Sequence, residues 1–408
     1  MSWVAKPSSS LNYGGVSYGR YFNACLRYDV HQKQITVSTL IGAADTRPKR
    51  QVKTFETTTF ALMACRQWLT EQDIEVVAME STGQYWRPVW QILAPSGFRM
   101  ILCNPRKIKG MPGRKTDRLD AEWIADLTRH GMISPSYVPK REIIELREAT
   151  RARKATGHDA TKYKNRIHNI LQRSNIKLTS FVSDIFGGSG RKLLNLLING
   201  EAFDLDVVAG CMHGRMKHKP EQILAAMNGT LSANDRRIIN IEVAMLDSLE
   251  ASLKDLDELI EEQLKPFWEL YLRLQTIPGV STRTAGIIIA EVGADTEAFE
   301  DAHRLASWVG LTPGNNESAG VSKSTGINHG NAYLKTAMVT AAMGAKAKKE
   351  GGLKDFFYRL TNRMGKMKAL VALAHKMIRI VYVIITEGVT YQEYKKDQRA
   401  LRTLVSKN

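Results

Sequence analysis

The sequence predicts an α/β domain near the N-terminus, then a basic helical region with heptad spacing, and then a mainly α-helical C-terminal domain. Short β-like runs alternate with amphipathic helices over residues 21–140, which indicates the α/β domain. Clustered Lys and Arg residues and heptad-spaced apolar residues mark residues 141–270, and apolar helical patterns dominate residues 271–390. With 408 residues and 43% apolar content, the chain can form about two or three domains with cores of their own.

The first part of the chain predicts an ordered domain after a short tail. Residues 1–20 are rich in Ser and Gly, which favours a disordered tail. The predicted order that follows is three strands, helix, strand, helix, strand, helix, which is the order of a ribonuclease-H-like domain. The strands are predicted at 22–28, 34–40, 52–57, 74–79 and 98–103, and the helices through Leu62 and Trp68, over 85–93 and from near Asp117.

The middle of the chain reads as helical, with one stretch that is interpreted only as an insertion. Residues 140–177 carry eleven Lys or Arg residues against four acids, which predicts a basic helical arm. Residues 178–233 contain several Gly-bearing turns and form the insertion. From Asp235 to Glu262 apolar residues recur at heptad spacing, so two interpretations are equally good: a coiled coil, or an amphipathic helix packed on its own domain. The heptad positions are Ile239, Leu246, Leu253 and Ile260.

The charge of the chain indicates an anionic partner. Lys and Arg outnumber Asp and Glu by 58 to 41, which gives a formal charge of +17, and nucleic acid is the expected partner. An anionic membrane is the alternative, but the apolar run at 371–386 is short and carries His375, Lys376 and Arg379, so we expect no membrane span. No secretory signal is expected either, which predicts a cytoplasmic protein. The four cysteines form no Cys-x-x-Cys pair, which argues against a zinc site or a disulfide framework.

Four acids occupy positions that suit metal ligands. Asp29 and Glu80 each end a predicted strand, and Asp117 and Asp120 are three residues apart at the start of a predicted helix, which places them on one helix face. Carboxylate oxygens are the ligands that Mg²⁺ prefers, and Mg²⁺ can stabilise charge on a phosphodiester. For an isolated Asp-x-x-Asp the better interpretation is structural, with Asp117 an ordinary residue of a helix N-terminal turn and Asp120 a partner of Arg118 or Arg114. Nearby cations favour a nucleic-acid site: Arg106, Lys107, Lys109, Arg114 and Lys115.

A second candidate site is a glycine-rich loop predicted over residues 310–330. Ser318 lies in this loop between Gly314 and Gly320, where the backbone can approach a phosphate closely. A lone loop serine is more often a turn residue, and no Gly-x-Ser-x-Gly elbow supports a hydrolase triad. If Ser318 attacks phosphorus, four cations are candidates for stabilising the transition state or protonating the leaving oxygen: Lys323, His329, Lys335 and Arg379.

Just upstream, residues 274–289 have the pattern of two helices joined by a tight turn at Gly279. One interpretation is a helix-hairpin-helix element, whose second helix offers backbone N–H groups to a DNA phosphate. A plain connection between two helices is an equally good interpretation.

Two sets of motifs make the chain resemble a known family. The stretches MESTGQYWRPVW (residues 79–90) and PGRKTDRLDAEW (residues 112–123) resemble the RuvC-like domain of the one-ten insertion-sequence family of transposases. These are the DEDD transposases, also known as bridge-RNA-guided recombinases. The stretches GLTPGNNESAG (residues 310–320) and GNAYLK (residues 330–335) resemble the family's C-terminal transposase domain.

The resemblance implies roles for individual residues. It implies that Asp29, Glu80, Asp117 and Asp120 hold Mg²⁺, and that Ser318 attacks DNA to form a phosphoserine intermediate. The family's first strand commonly ends Gly-Ile-Asp-Val-His-Lys, whereas this chain reads Arg27-Tyr-Asp-Val-His-Gln, so Asp29 is the least secure match.

The resemblance also implies partners. These are donor and target DNA, a non-coding bridge RNA, and further copies of the chain in a dimer or tetramer with composite active sites. The basic arm is then the expected RNA contact, through Arg151, Arg153, Lys154 and Lys164.

The sequence therefore predicts five segments and leaves two rival functions. The segments are a tail (1–20), a RuvC-like domain (21–140), a middle region (141–270), a C-terminal transposase domain (271–390) and a polar tail (391–408). The first rival is a metal-dependent junction-resolving nuclease in which Ser318 is structural. The second is a non-catalytic nucleic-acid-binding scaffold. Covalent trapping of protein on DNA separates a transposase of this kind from both.

Overall fold

The chain divides into two compact units, Met1–Val138 and Pro139–Asn408. The structure is a computed structural model, in which the predicted tail at 1–20 and the predicted start of a helix near Asp117 lie outside the described residues. The structure describes residues 25–31, 33–41, 47–81, 83–103, 127–128, 136–200, 202–212, 218–314, 316–318, 321–324, 326–348 and 351–405.

The first unit is an α/β domain with small sheets. The predicted order of five strands and two helices is confirmed, and the ends of the elements differ from the prediction by at most three residues. Thr58 begins the first helix because its hydroxyl accepts a hydrogen bond from the Ala61 N–H at 3.3 Å. The elements are β1 Cys25–His31, β2 Gln34–Ile41, β3 Lys49–Glu56, α1 Thr59–Glu71, β4 Val76–Glu80, α2 Trp86–Leu93 and β5 Arg99–Cys103.

The strands of the first unit form an antiparallel and a parallel ladder. β1, β2 and β3 pair antiparallel in that order, β4 and β5 pair parallel, and β1 lies beside β4. One face of α1 buries Leu62, Cys65 and Leu69, which lie three and four residues apart on a helix that covers the sheet residues Val77 and Met79. This core holds the end of β4, where Glu80 lies.

Two long helices of the second unit pack along each other. α3 Arg141–Arg173 and α8 Ala233–Leu264 are antiparallel, since Arg173 pairs with Asp235 at one end and Arg153 pairs with Asp257 towards the other. The heptad residues Ile239 and Leu246 are fully buried. Further along α8, the heptad residues Leu253 and Ile260 are half-buried.

The region interpreted as an insertion folds into short helices around a core of its own. Ile167 and Leu171 of α3, Leu193 and Leu194 of a short helix, and Ile239 of α8 meet in this core. The short helices are α4 Leu178–Phe181, α5 Gly188–Asn199, α6 Leu205–Cys211 and α7 Pro220–Met227.

The remaining helices of this unit pack around a second hydrophobic core. Its longest helix, α14, is long and apolar enough to cross a membrane by composition alone. Leu373, Met377 and Val381 of this helix are fully buried against the other helices, which is the setting of a core helix. The helices are α9 Trp268–Gln275, α10 Thr282–Val292, α11 Ala302–Val309, α12 Ala332–Ala347, α13 Gly352–Met364, α14 Lys366–Glu387 and α15 Tyr391–Val405.

Candidate active site

Glu80 is the last residue of β4, as predicted. Its backbone lies opposite Cys103 at the end of β5, and the following Ser81 N–H donates to the Cys103 carbonyl at 2.9 Å. The Glu80 side chain is half-buried. Burial, and then the negative charge of Glu80, raise the pKa of the Cys103 thiol to about 12, so this thiol stays protonated. Glu80 thus presents a half-buried carboxylate at the carboxyl end of a parallel pair of strands, where binding sites are often found.

Asp29 lies in β1, beside β4. The prediction that Asp29 ends its strand is wrong by two residues, because β1 continues to His31. The pairing of β1 with β2 changes register between Arg27 and His31, so the irregularity falls on the segment that contains Asp29. Such bulges redirect side chains and are frequent next to active sites.

The rest of the predicted carboxylate site lies outside the described residues. This holds for the side chain of Asp29, for Asp117 and Asp120, and for the cations predicted to approach them: Arg106, Lys107, Lys109, Arg114 and Lys115. Among the four predicted ligands, Glu80 is therefore the one whose surroundings the structure describes.

Ser318 lies at the end of a β-hairpin and not in an irregular loop. β6 Asn316–Ser318 pairs antiparallel with β7 Val321–Ser324, and Ser318 pairs with Val321 across a two-residue connection. The prediction of a loop over 310–330 is wrong for residues 316–318 and 321–324, which form a short two-stranded ladder. The Gly and polar residues of this segment do not show the alternating pattern that identifies strands. Lys323, predicted to contact nucleic acid, lies in β7, and its side chain is not among those described.

Close backbone contacts close the base of this hairpin. A Cβ atom on Gly330 would lie 2.4 Å from the Gly310 nitrogen. The backbones at Gly310 and Gly330 are therefore too close together for a side chain at position 330. Gly310 itself has φ +80°, a conformation that favours glycine. The Gly314 N–H donates to the Gly326 carbonyl at 2.8 Å, and the Asn328 N–H donates to the Thr312 carbonyl at 3.1 Å. The base is thus fixed in register before the strands begin.

A buried carboxylate joins the base of the hairpin to the helices. Glu291 of α10 is 1% exposed, and its two oxygens accept hydrogen bonds from Arg151 of α3, both at 2.8 Å. The Asn331 side-chain amide, directly after the hairpin, donates to Glu291 at 2.7 Å. The hydrogen bond with Glu291 raises the pKa of Arg151, and Arg147 adds a third cationic contact at 3.5 Å. A buried charge needs such partners to be tolerated.

Asn331 has a second role in the same place. Its side-chain oxygen accepts hydrogen bonds from the Tyr333 and Leu334 N–H groups, both at 3.0 Å, and so caps α12. Lys335, in the first turn of α12, donates to the Asn328 carbonyl at 3.1 Å. Hairpin and helix are therefore held by one set of contacts.

The cations predicted as an RNA-binding arm have partners in their own chain. Arg151 is bound to Glu291, Arg153 forms a two-pronged pair with Asp257 at 2.6 and 3.0 Å, and the ammonium of Lys154 lies 4.8 Å from the ring centre of Tyr333. Lys164 pairs with Glu250 at 2.9 Å. The hydrogen bond from Arg153 lowers the pKa of Asp257. RNA contact by these residues would have to compete with the ion pairs.

Sequence reasoning missed Glu291 and the acids of α8 as partners of α3. The missed signal for Glu291 is one acid in an otherwise apolar run, residues 285–292, since a charge in a helix core requires a partner. His329 and Arg379, proposed as helpers of Ser318, are both exposed, the first just after the hairpin and the second on α14.

Comparison with known proteins gives matches over both units. Residues 28–176 match the DEDD transposase model of the IS110 type, and residues 271–358 match the model of the IS116/IS110/IS902 transposase family. The transposase for insertion sequence element IS1111A of Coxiella burnetii is 29% identical over 323 residues, which are 78% of this chain and 79% of the relative. A probable family 20 transposase of Pseudomonas aeruginosa is 24% identical over 78% of this chain and 86% of its own length. A pilin gene-inverting protein of Moraxella lacunata is 28% identical over 34% of this chain and 44% of its own length.

Proposed function

We propose, from the fact that this chain belongs to the IS110 family of transposases, that it cleaves and rejoins DNA strands with Ser318 as the nucleophile. The observation that carries the proposal is the position of Ser318 at the end of a hairpin whose base is fixed by glycine contacts and by the Glu291 network. A nucleophile gains most from such a support, because a reacting group must be held to within a few tenths of an ångström.

In the proposed reaction the Ser318 oxygen forms a bond to phosphorus, and the bond from phosphorus to the leaving sugar oxygen breaks. The serine proton goes to a base and the leaving oxygen takes up a proton, so no oxidant or further reactant is needed. The phosphoserine–DNA ester keeps the energy of the broken linkage. A sugar hydroxyl of another strand end then attacks the ester, which rejoins DNA and releases Ser318. The match to a pilin gene-inverting protein supports rejoining, since an inverted gene requires both cleavage and resealing.

The four acids are proposed as the Mg²⁺ ligands of an RNase H-like, RuvC-like first unit. Glu80 at the end of β4 and Asp29 in the neighbouring β1 fit this role as hard oxygen donors, and Asp117 and Asp120 complete the set. When bound, Mg²⁺ would supply positive charge against the phosphate oxygens. The carboxylates orient the site, and the cations between residues 106 and 115 draw in the phosphate backbone.

The proposed partners are donor and target DNA, a non-coding bridge RNA and further copies of the chain. Arg151, Arg153 and Lys164 of α3 already form ion pairs within the chain. The cations of residues 106–115 are therefore proposed as the main RNA contacts. The α3 residues contribute only where RNA displaces an ion pair.

The test of this function is covalent trapping. Protein purified with its co-purifying RNA is incubated with labelled DNA and Mg²⁺, and a denaturing gel separates free DNA from protein-linked DNA. We expect a covalent adduct in the unmodified protein and none with Ser318→Ala, while DNA binding is retained. Ser322→Ala is the matched control, since Ser322 lies in the opposing strand β7 of the same hairpin. An adduct that survives Ser318→Ala and is lost in Ser322→Ala would place the nucleophile at Ser322. Cleavage without any adduct would favour the junction-resolving nuclease.

A further inference from the structure

We propose that the turn between α13 and α14 binds the phosphate backbone of duplex DNA, an inference that rests on the proposed function. The surface consists of Arg359, Arg363, Lys366 and Lys368, and we refer to it as the α13–α14 turn. All four side chains are exposed. Residues 359–368 lie outside both segments that match the family models, 28–176 and 271–358.

The first observation is a local excess of positive charge. Residues 352–368 contain five Lys or Arg residues and one acid, Asp355. Within the part of the chain that the structure describes, no carboxylate lies within 4.0 Å of any of the four cations. Arg359 contacts only the ring of its neighbour Phe356, at 5.7 Å. The α3 helix differs in this respect, because its cations are largely neutralised by the acids of α8 and by Glu291. The turn is therefore a place in this unit where four exposed cations lie close together in sequence and no described carboxylate pairs with them.

The second observation is that folding stability does not explain these lysines. Lys366 and Lys368 lie in the first turn of α14, a helix of 22 residues that begins after Gly365 with no side-chain cap and no acid in its first turn. The N-terminus of a helix carries partial positive charge, so cations there are unfavourable and an anion is favourable. A phosphate group at this end would bind both the ammonium groups and the backbone N–H groups.

The third observation decides between duplex DNA and single-stranded nucleic acid. Proteins that bind single strands interleave cations with several exposed aromatic rings on which bases stack. Between residues 352 and 368 the exposed ring is that of Tyr358, at 54%, whereas Phe357 is buried and Phe356 half-buried. Arg359 and Arg363 are one helical turn apart on the same face, about 6 Å between Cβ atoms. Cations in a row with few rings suit the backbone of a duplex, which positions the protein without reading sequence.

The experiment compares two variants that lose the same charge. The first carries Arg359→Gln, Arg363→Gln, Lys366→Gln and Lys368→Gln. The matched control carries Arg141→Gln, Lys162→Gln, Arg166→Gln and Arg173→Gln, four α3 residues that pair with acids of their own chain. Affinity for a DNA duplex of arbitrary sequence is measured by fluorescence anisotropy between about 50 and 200 mM salt. Each lost phosphate contact lowers the slope of log affinity against log salt by about 0.9, so we expect the turn variant to lose about 3.6 from the slope and the control to lose less than one.

Two further measurements make the outcome decisive. Thermal unfolding of the turn variant should occur at the same or a higher temperature, because removing Lys366 and Lys368 relieves repulsion at the start of α14. When the same titration is made with RNA of equal length, the salt slope of affinity should differ little between the turn variant and the unmodified protein. The proposal is overturned if the salt slope of DNA affinity is the same in the turn variant and the unmodified protein, or if the slope falls equally in the turn variant and the control. It is also overturned if the turn variant loses RNA binding but keeps DNA binding.

Failure of the strand-transfer proposal would look different. In that case no covalent adduct forms in the unmodified protein, while the difference in salt slope between the two variants remains. Conversely, an adduct with an unchanged slope would leave Ser318 in place and remove the turn from the DNA-binding surface.

Discussion

At the scale of single residues, Asn331 connects the hairpin of Ser318 to the helices with the two halves of one amide. Its oxygen caps α12 and its nitrogen donates to the buried Glu291. The two roles can be separated chemically. Asp and Ser are as good as Asn at the start of a helix, but neither offers the amide N–H that Glu291 accepts.

We therefore predict that Asn331→Asp keeps the cap of α12 and disrupts the position of the hairpin. The new carboxylate would lie against Glu291, which accepts a hydrogen bond from Asn331 at 2.7 Å, and two adjacent carboxylates repel when both are ionised. Covalent adduct formation should fall at least about tenfold at pH 8, corresponding to about 1.4 kcal/mol, while DNA affinity stays the same. The defect should shrink at lower pH, because protonation of one of the two carboxyl groups removes the repulsion.

The control for this prediction is Asn331→Ser, which also caps a helix but brings no charge. It should reduce adduct formation less than Asn331→Asp does, and the loss should not depend on pH beyond the dependence of the unmodified protein. If Asn331→Asp is as active as the unmodified protein at pH 8, the link between Asn331 and Glu291 does not position the hairpin.

Residue types at the candidate site were predictable where a local motif carries them. Glu80 falls in such a motif and ends β4 as predicted, whereas Ser318 lies at the end of β6, where a loop was predicted. Glu291 was not predictable as the partner of Arg151, because the two are 140 positions apart. Sequence patterns show which face of a helix is buried, but they do not show which distant charge enters that face.

At the scale of elements, the predicted turn between α9 and α10 packs on a third helix, α12. The tight turn at Gly279 is confirmed, with φ +89°. A Cβ atom there would lie 2.2 Å from the Ala341 carbonyl oxygen and 2.4 Å from the Ala345 nitrogen, so the turn packs directly on the backbone of α12. This contact explains the glycine by packing alone, whichever interpretation of the two helices holds.

Gly279→Ala should accordingly destabilise the second unit by about 2 to 4 kcal/mol, since it adds both backbone strain and a steric clash. In a thermal unfolding experiment this corresponds to a fall of roughly 5 to 10 °C. Gly352→Ala is the matched control, because a Cβ atom at Gly352 meets nothing within 4 Å and the residue lies in a helix. It should leave the unfolding temperature unchanged or raise it slightly. Equal unfolding temperatures of the two variants would show that the backbone of α12 can shift to make room for the added Cβ atom.

Elements were predicted well where one face of a regular segment is buried, and less well where charge decides. Every described strand and helix of the first unit matches a predicted one, because apolar spacing determines them locally. The hairpin at Ser318 departs from the predicted loop, since strands of three and four residues are too short to show alternation. The basic arm was predicted as a helix and is one, but its cations face the acids of α8, which a count over residues 140–177 does not include.

At the scale of the whole molecule, the two parts of the proposed chemistry belong to different units. Asp29 and Glu80 lie in Met1–Val138, and Ser318 lies in Pro139–Asn408. A carboxylate set and a serine can act on the same phosphate only if both reach it. The resemblance to the transposase family implies that they do so across two copies of the chain, and this implication can be tested without knowing how the copies are arranged.

We predict that two inactive variants restore activity to each other. Glu80→Ala removes a proposed metal ligand and Ser318→Ala removes the proposed nucleophile, so each variant alone should form no rejoined DNA. When both are produced in the same cell in equal amounts, about half of the dimers contain one copy of each. If a site takes its acids from one copy and its serine from the other, each mixed dimer has one site with both defects and one intact site, and a covalent adduct reappears. The adduct should be carried only by the Glu80→Ala chain, which a size tag on one variant makes visible on a denaturing gel. If acids and serine act within one chain, every site in the mixture has one defect, and the absence of any adduct would show that the composite site is wrong.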